Sequence, residues 1–369
     1  MEELKVALLA TGDELTQGDI SNTNSQTIAQ ELIKHDLAPG YHMVVSDVLS
    51  DIRTAVLFLL QHHHVVITIG GLGPTSDDCT RFAVAEAINR PLIFNEQCWR
   101  SIESRFRQLT REIPQSNRQQ CLLPENSEVL PNNNGTAAAC IIPHNEKMII
   151  MLPGPPNECL PIFHDQVMPR LIKTLPKQQV IRKHWLLLGV SEGDTAERIN
   201  NLKLSKDITV GYRINYPYLE LKISSKNNDS LTQACTKIGE LISQYIISDV
   251  NQTARQQLVQ YISNKQIHLN VIDSATMGAL QNQITNHDTY HLLQFTADVT
   301  KHEMIILHID GLKGIWRASP QPVHTELIIR IEFSGQEILI TKKMRNYGDK
   351  TRYFAVEIIC WELVKYLQS

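Results

Sequence analysis

Residues 64–90 read HVVITIGGLGPTSDDCTRFAVAEAINR, and this stretch decides the fold. The apolar run at 64–71 ends in two glycines, as a buried strand does. The stretch at 77–90 carries apolar residues at helical spacing. Between them lies a short turn of Gly, Pro, Thr, Ser and Asp. The same strand-to-helix unit recurs on either side. LKVALLATG (4–12) is a buried strand, and NSQTIAQELIKHD (24–36) places Ile28, Leu32 and Ile33 at helical spacing. YHMVVSD (41–47) is a strand, and SDIRTAVLFLLQHH (50–63) is a helix that Ser50 is expected to cap. Strict alternation predicts an α/β fold with a mainly parallel sheet and helices on both faces. Ligands of such sheets bind where the strands end.

The pattern changes twice further on. MLPGPPNECLPIFHDQVMPRL (151–171) closes the first region, and residues 181–246 read β-α-β-β-α, a small α+β module. A helix at 251–266 opens a third region of alternating strand and helix that runs to Ser369. The expected division is 1–172, 173–250 and 251–369.

The chain has 369 residues, enough to bury several cores without disulfides. Its 35 basic and 39 acidic residues give a net charge of −4, which argues against a nucleic-acid partner. The first residues lack a basic and then apolar leader, and no apolar run approaches the roughly 18 residues of a membrane span. The seven cysteines form no CxxC pair, which fits a reducing compartment and a cytoplasmic location.

Two loops carry the chemistry. One is Thr11-Gly12-Asp13-Glu14-Leu15, followed by Gly18 and Asn22-Thr23-Asn24; the other is Gly70 to Asp78. Glycines let backbone N–H groups turn toward an anion, and Thr75 or Ser76 is expected to cap the next helix beside it. Carboxylates near a phosphate cradle suggest a hard cation between them, with Asp13, Asp77 and Asp78 as ligands. The competing reading is that these residues only make turns and caps. Three further segments join the candidate site. Ser116-Asn117-Arg118 offers a guanidinium for phosphate, Asn134-Gly135-Thr136-Ala137 is a small-residue turn, and Pro153-Gly154-Pro155-Pro156-Asn157-Glu158 sets a carboxylate at a helix start. His62, His63 and His64, at a helix end, are expected to be solvated or dipole-paired. Arg100, Arg105, Arg107 and Arg111 read as a solvated face, Trp185 as core, and the cysteines as small core residues.

Taken together and in order, TGDELTQGDISNTN, GGLGPTSDD, the SNR element, NGTA and LPGPPNE resemble the competence/damage-inducible CinA family. The resemblance implies a molybdopterin-binding-like first domain of three layers and a KH-like middle module. Here that module lacks a basic GxxG loop. The implied third domain is of the nicotinamide-mononucleotide deamidase type. The family's A-E-S-C-T-G-G stretch corresponds to Ile272-Asp273-Ser274-Ala275-Thr276-Met277-Gly278, so the cysteine and the first glycine are gone. Lys301 remains from the Y-S-N-x-x-K segment, and G-D-R becomes Gly348-Asp349-Lys350. This domain is expected to be inactive.

For the first domain the resemblance implies metal-dependent hydrolysis of ADP-ribose to AMP and ribose 5-phosphate, with Mg²⁺, Mn²⁺ or Co²⁺. Asp78, Asp13 and Glu158, with Asp77, are the expected metal ligands. Arg118 and the N–H groups of residues 71–75 are expected to neutralise developing charge. Gly12, Glu14, Asn24, Gly70, Gly71, Gly73, Thr75, Asn117, Gly135, Thr136, Gly154 and Pro155 would contact the substrate. The alternatives are a non-catalytic nucleotide- or pterin-binding regulator, and a residual deamidase using Ser274 and Lys301. A homodimer is expected.

Overall fold

The computed structural model describes residues 4–177, 180–296, 304–312 and 323–368. The chain divides into two compact units, Met1–Gln179 and Val180–Ser369.

In the first unit the elements run β1 (Lys5–Thr11), α1 (Asp13–Thr16), α2 (Thr23–Lys34), β2 (Ala38–Val45), α3 (Leu49–His62), β3 (Val65–Ile69), α4 (Thr80–Ala87), β4 (Leu92–Phe94), α5 (Glu96–Gln108), β5 (Leu122–Pro124), β6 (Glu128–Leu130), β7 (Ala139–His144), β8 (Lys147–Leu152), α6 (Pro156–Ile162) and α7 (Met168–Thr174). The main sheet has the order β2-β1-β3-β8-β7-β6. Strands β2, β1, β3 and β8 are mutually parallel, and β7 and β6 are antiparallel additions.

Strand β1 shows why this sheet is covered on both sides. Val6 and Leu8 pack into a core with α2, α6 and α7, while Ala7 and Leu9 pack into a second core with α3, α4 and α5. Alternate residues of a strand face opposite ways, so a strand buried on both faces must be apolar throughout. The expected mainly parallel sheet with two helical layers is what forms.

Two local expectations fail. Ser50 does not cap α3; the helix begins at Leu49, and the Ser50 hydroxyl bonds the Asp51 carboxylate. Neither Thr75 nor Ser76 caps α4. The Asp78 carboxylate folds the 75–78 turn onto itself, so the helix starts only at Thr80. His63 takes the dipole-paired alternative: buried at the C-terminus of α3, its Nδ1 meets the Leu59 carbonyl at 3.2 Å, and its Nε2 accepts the Tyr41 N–H at 3.2 Å.

In the second unit, β9 (Ile181–Leu188), α8 (Glu192–Asn200), β10 (Thr209–Asn215), β11 (Tyr218–Ser225), α9 (Asn228–Ile242) and β12 (Ile246–Ser248) form an antiparallel sheet of order β10-β11-β9-β12. Ser191 and Asn227 cap α8 and α9. There follow α10 (Ala254–Lys265), β13 (Leu269–Asp273), α11 (Ala279–Ile284), β14 (Leu293–Gln294), β15 (Ile305–Gly311), β16 (His324–Phe333), β17 (Gln336–Arg345) and α12 (Lys350–Gln368), with sheet order β14-β13-β15-β16-β17. Trp185 is core, as expected. A buried polar knot joins the two sheets' helices and strands. Tyr218 donates to Glu357 at 2.5 Å and accepts the Ala254 N–H at 2.8 Å, and the same carboxylate takes the Arg255 N–H at 3.0 Å. Among the described residues, no helix is long and apolar enough to cross a membrane.

Candidate functional site

The adjacency of β1, β3 and β8 in one parallel sheet brings their carboxyl ends together. The loops that leave them are the Gly12, Gly70–Asp78 and Pro153–Glu158 segments, so three of the sequence motifs converge. The Gly70 N–H bonds the Leu152 carbonyl at 3.0 Å, and the Asn24 amide donates to the Gly154 carbonyl at 2.7 Å. Asn24 is 8% exposed, and its Oδ1 has no hydrogen-bond partner among the described residues.

The centre of the site is packed to backbone contact. Gly71 has φ +64°, and a Cβ there would overlap the Thr80 hydroxyl. Only glycine takes both that conformation and that approach. Thr80 and Thr11, both buried, join their hydroxyls at 3.1 Å. Beneath the loop lies Arg81, 1% exposed, which donates through Nη2 to the Gly73 carbonyl at 3.0 Å. Its Nε and Nη1 have no hydrogen-bond partner among the described residues. Burial lowers the Arg81 pKa, and the Asp78 carboxylate opposes that shift. The outcome is a tight glycine loop over a buried cation.

Three of the carboxylates hold loops, each through one oxygen. Asp78 accepts the Thr75 N–H at 2.9 Å and its hydroxyl at 2.5 Å, and a Cβ on Gly73 would overlap it. Asp13 and Asp47 exchange reciprocal bonds, each N–H to the other's carboxylate at 3.1 Å. Partial burial raises the Asp47 pKa; its bond from the Asp13 N–H opposes this, and the Asp13, Glu14 and Asp77 carboxylates add to it. Asp77 is exposed, and the Thr75 side chain lowers its pKa. Glu14 is exposed and curls back over Gly12.

Glu158 sits apart. It accepts from the Asn132 amide at 2.7 Å, directly behind Gly135. Asn132 also takes the N–H groups of Asn134 and Gly135, each at 2.9 Å, and Thr136 continues that turn, half-buried. Pro155 is the exposed residue that caps α6. Asn117 is buried and bonds Gln120, whose amide reaches the Leu72 carbonyl at 3.3 Å. Arg118 lies over Phe94 at 4.9 Å and Trp99 at 5.3 Å, so its guanidinium is stacked on aromatic faces.

The carboxylates expected to hold a divalent cation each give one oxygen to a turn and do not form one cluster. Asp13, Asp78 and Glu158 are engaged separately, and among the described residues no group of three His, Cys, Asp or Glu side chains is placed to hold a metal ion. No chemical step is derived through a metal.

Sequence reading missed several residues. Asp47 and Asn132 lie in polar turns with no pattern to mark them. Arg105 was expected to be solvated; instead it clamps the Asn133 and Asn134 carbonyls at 3.0 and 2.6 Å. Arg81 did leave a signal. It shares the buried helical face of Val84, Ala85 and Ile88, where a charge is out of place.

In the second unit, the Ser274 hydroxyl donates to the Ile309 carbonyl and the Asp310 carboxylate, each at 3.0 Å. Asp273 takes the N–H groups of Ala275 and Thr276 at 2.9 and 2.8 Å. Met277 is held at φ +55°, where the family pattern has glycine. Lys301 lies outside the described residues.

Comparison with known proteins agrees with this architecture. A family model described as "Probable molybdopterin binding domain" matches residues 7–173. A competence-damage inducible protein of Caldicellulosiruptor saccharolyticus is 34% identical over 286 residues, covering 76% of this chain and 69% of its own. A CinA-like protein of Geobacter metallireducens is 30% identical over 290 residues, covering 76% and 70%. A crystal structure of CinA with unknown function, from Thermoplasma acidophilum, covers 46% of this chain and 97% of its own at 27% identity and TM-score 0.42. The fold is thus mixed α/β, with a molybdopterin-binding-type first domain and an additional C-terminal α/β region.

These relatives also correct the expected activity. The resemblance of the motifs implies a hydrolase of diphosphate bonds with a silent deamidase-type domain. Neither relative's name carries diphosphate-bond hydrolysis, so the expected ADP-ribose cleavage finds no support in them. At 34% identity over more than two thirds of each protein, the chain belongs to the CinA-like family of competence-damage inducible proteins.

Proposed function

We propose that the first unit binds a phosphorylated small molecule, a pterin or a nucleotide, and does so as a binding domain. The observation that carries this reading is the glycine loop at 70–73, packed onto Thr80 above the buried Arg81. Such a loop offers N–H groups to an anion with little reorganisation on binding, and a cation beneath it adds attraction in a low-dielectric setting. Asp13, Asp78 and Glu158 each brace a turn, which supports a binding role over a hydrolytic one. A homodimer, the three-part division of the chain and a cytoplasmic location belong to the same proposal.

Calorimetry on the full chain tests it, with inorganic phosphate, AMP and a pterin phosphate as probes. Saturable binding that weakens about tenfold or more in Gly71→Ala and in Arg81→Met is expected, since each removes part of the cradle. Absence of binding for all three probes at millimolar concentration overturns it.

A second reading concerns the other unit. Ser274, held between a carbonyl and the Asp310 carboxylate, is placed at a strand end where the family's kinship implies amide hydrolysis. Ammonia release from nicotinamide mononucleotide, lost in Ser274→Ala, supports it; no release from the intact chain removes it.

A further inference from the structure

The second unit contains a cleft of about 690 Å³ that neither reading uses. Its walls come from the β10–β11 turn, the end of β17 and one face of α12. Three rings form a corner in it. The Tyr216 and Tyr347 centroids are 5.6 Å apart at 78°, and Phe354 lies 6.0 Å from Tyr216 and 6.3 Å from Tyr347. Tyr216 is 39% exposed and Tyr347 44%, so aromatic surface is left facing the cleft mouth. A cluster of wet aromatic rings is costly unless something covers it.

The cleft is also basic. Lys342, Lys343, Arg345 and Lys365 line it, against Glu192 and Glu362. Lys342 and Lys365 share Glu362 at 3.0 and 2.6 Å, which leaves the wall positive through Lys343 and Arg345. The Arg345 guanidinium stands 5.7 Å from the Tyr347 ring, and the Lys350 ammonium 5.9 Å from the Tyr216 ring. Cations are therefore fixed beside the aromatic faces. Burial and the neighbouring Tyr347 push the Tyr216 phenol up to about 12, so it stays neutral near an anion.

The volume lies within the roughly 300–1,000 Å³ of small-molecule sites. Rings arranged as one corner accept a single flat ligand; a strand of nucleic acid needs a row of platforms along a basic groove. We propose that this cleft is a second binding site, for a heteroaromatic ring carrying a phosphate monoester: the ring packs on Tyr216, Tyr347 and Phe354, and the phosphate pairs with Lys343 and Arg345. The cleft lies wholly within the second unit and includes neither Ser274 nor Asp310.

Hydrogen exchange read by mass spectrometry on the full chain tests this, because it reports where a ligand protects. The probes are AMP, adenosine and ribose 5-phosphate. AMP is expected to slow exchange in peptides covering 212–219 and 342–361 more than adenosine or ribose 5-phosphate does. Tyr347→Ala and the paired Lys343→Ala/Arg345→Ala, all at exposed positions, should each weaken the AMP midpoint about tenfold or more, as loss of a stacking ring or a charged pair does. Protection within 68–80 should be unchanged in these variants. Protection confined to the first unit overturns this proposal while sustaining the first. Protection of 342–361 that survives both variants also overturns it. Protection here with none in the first unit leaves this site standing and removes the other.

Discussion

Thr11 and Thr80 are 69 residues apart in sequence, yet their hydroxyls meet at 3.1 Å with both side chains buried. This contact ties the end of β1 to the first residue of α4, directly behind the loop at 70–73. Replacing Thr80 by Val keeps the shape and removes the partner. Urea denaturation should show a loss of about 1–3 kcal/mol, because the Thr11 hydroxyl is left buried and unpaired. An unchanged midpoint would mean that the pair holds nothing.

Gly135 and Glu158 give a sharper test. A Cβ on Gly135 would fall on the Glu158 carboxylate. Gly135→Ala alone should push the Glu158 carboxylate off Asn132 and destabilise by about 1 kcal/mol through that lost hydrogen bond. Glu158→Ala alone releases Asn132 from one of its bonds. The double variant should recover part of the loss, with a coupling of about 1 kcal/mol or more in a double-mutant cycle. Strict additivity would show that the two residues do not meet.

Asp47 supplies a pH dependence. Its folded pKa is raised, first by burial and then by the surrounding carboxylates. A group raised on folding favours the folded state below its unfolded pKa, and that contribution is lost as pH rises through the folded pKa. Asp47→Asn should therefore stabilise the protein at neutral pH, with the gain fading as pH falls through the raised folded pKa and gone below the ordinary aspartate value of 3.8. Thermal unfolding from acid to neutral pH checks this; a gain that grew on acidification would contradict it.

In the second unit, Tyr218→Phe should cost about 1–3 kcal/mol. It leaves the Ala254 N–H unpaired and takes a donor from Glu357, both in a buried setting. Urea unfolding monitored by far-ultraviolet circular dichroism reads the change. Equal stability of the two proteins would show the knot to be dispensable.

The fold was legible because period and burial coincide in this sequence. β1 is apolar at every position from Val6 to Ala10, and such a run has few homes other than a doubly covered strand. The glycines of 70–73 were legible for a similar reason, since only backbone demands explain so many in one turn. The roles of the carboxylates were not legible. A sequence shows Asp78 three residues after Thr75, but not that one of its carboxylate oxygens closes the turn between them. Nor does it show that Arg118 finds Phe94 and Trp99, because that meeting depends on how α5 packs. The residue types suit diphosphate hydrolysis, and their second employment in bracing turns is visible only in the fold.

The turn after β13 holds its course without help from residue 277. Met277 has a left-handed backbone at φ +55°, and the Asp273 carboxylate gathers the Ala275 and Thr276 amides on the near side of the turn. The contour is thus set by a carboxylate clamp, and the side chain at 277 is exposed. What this turn presents to its surroundings can therefore be altered at 277 while the path of the chain stays the same.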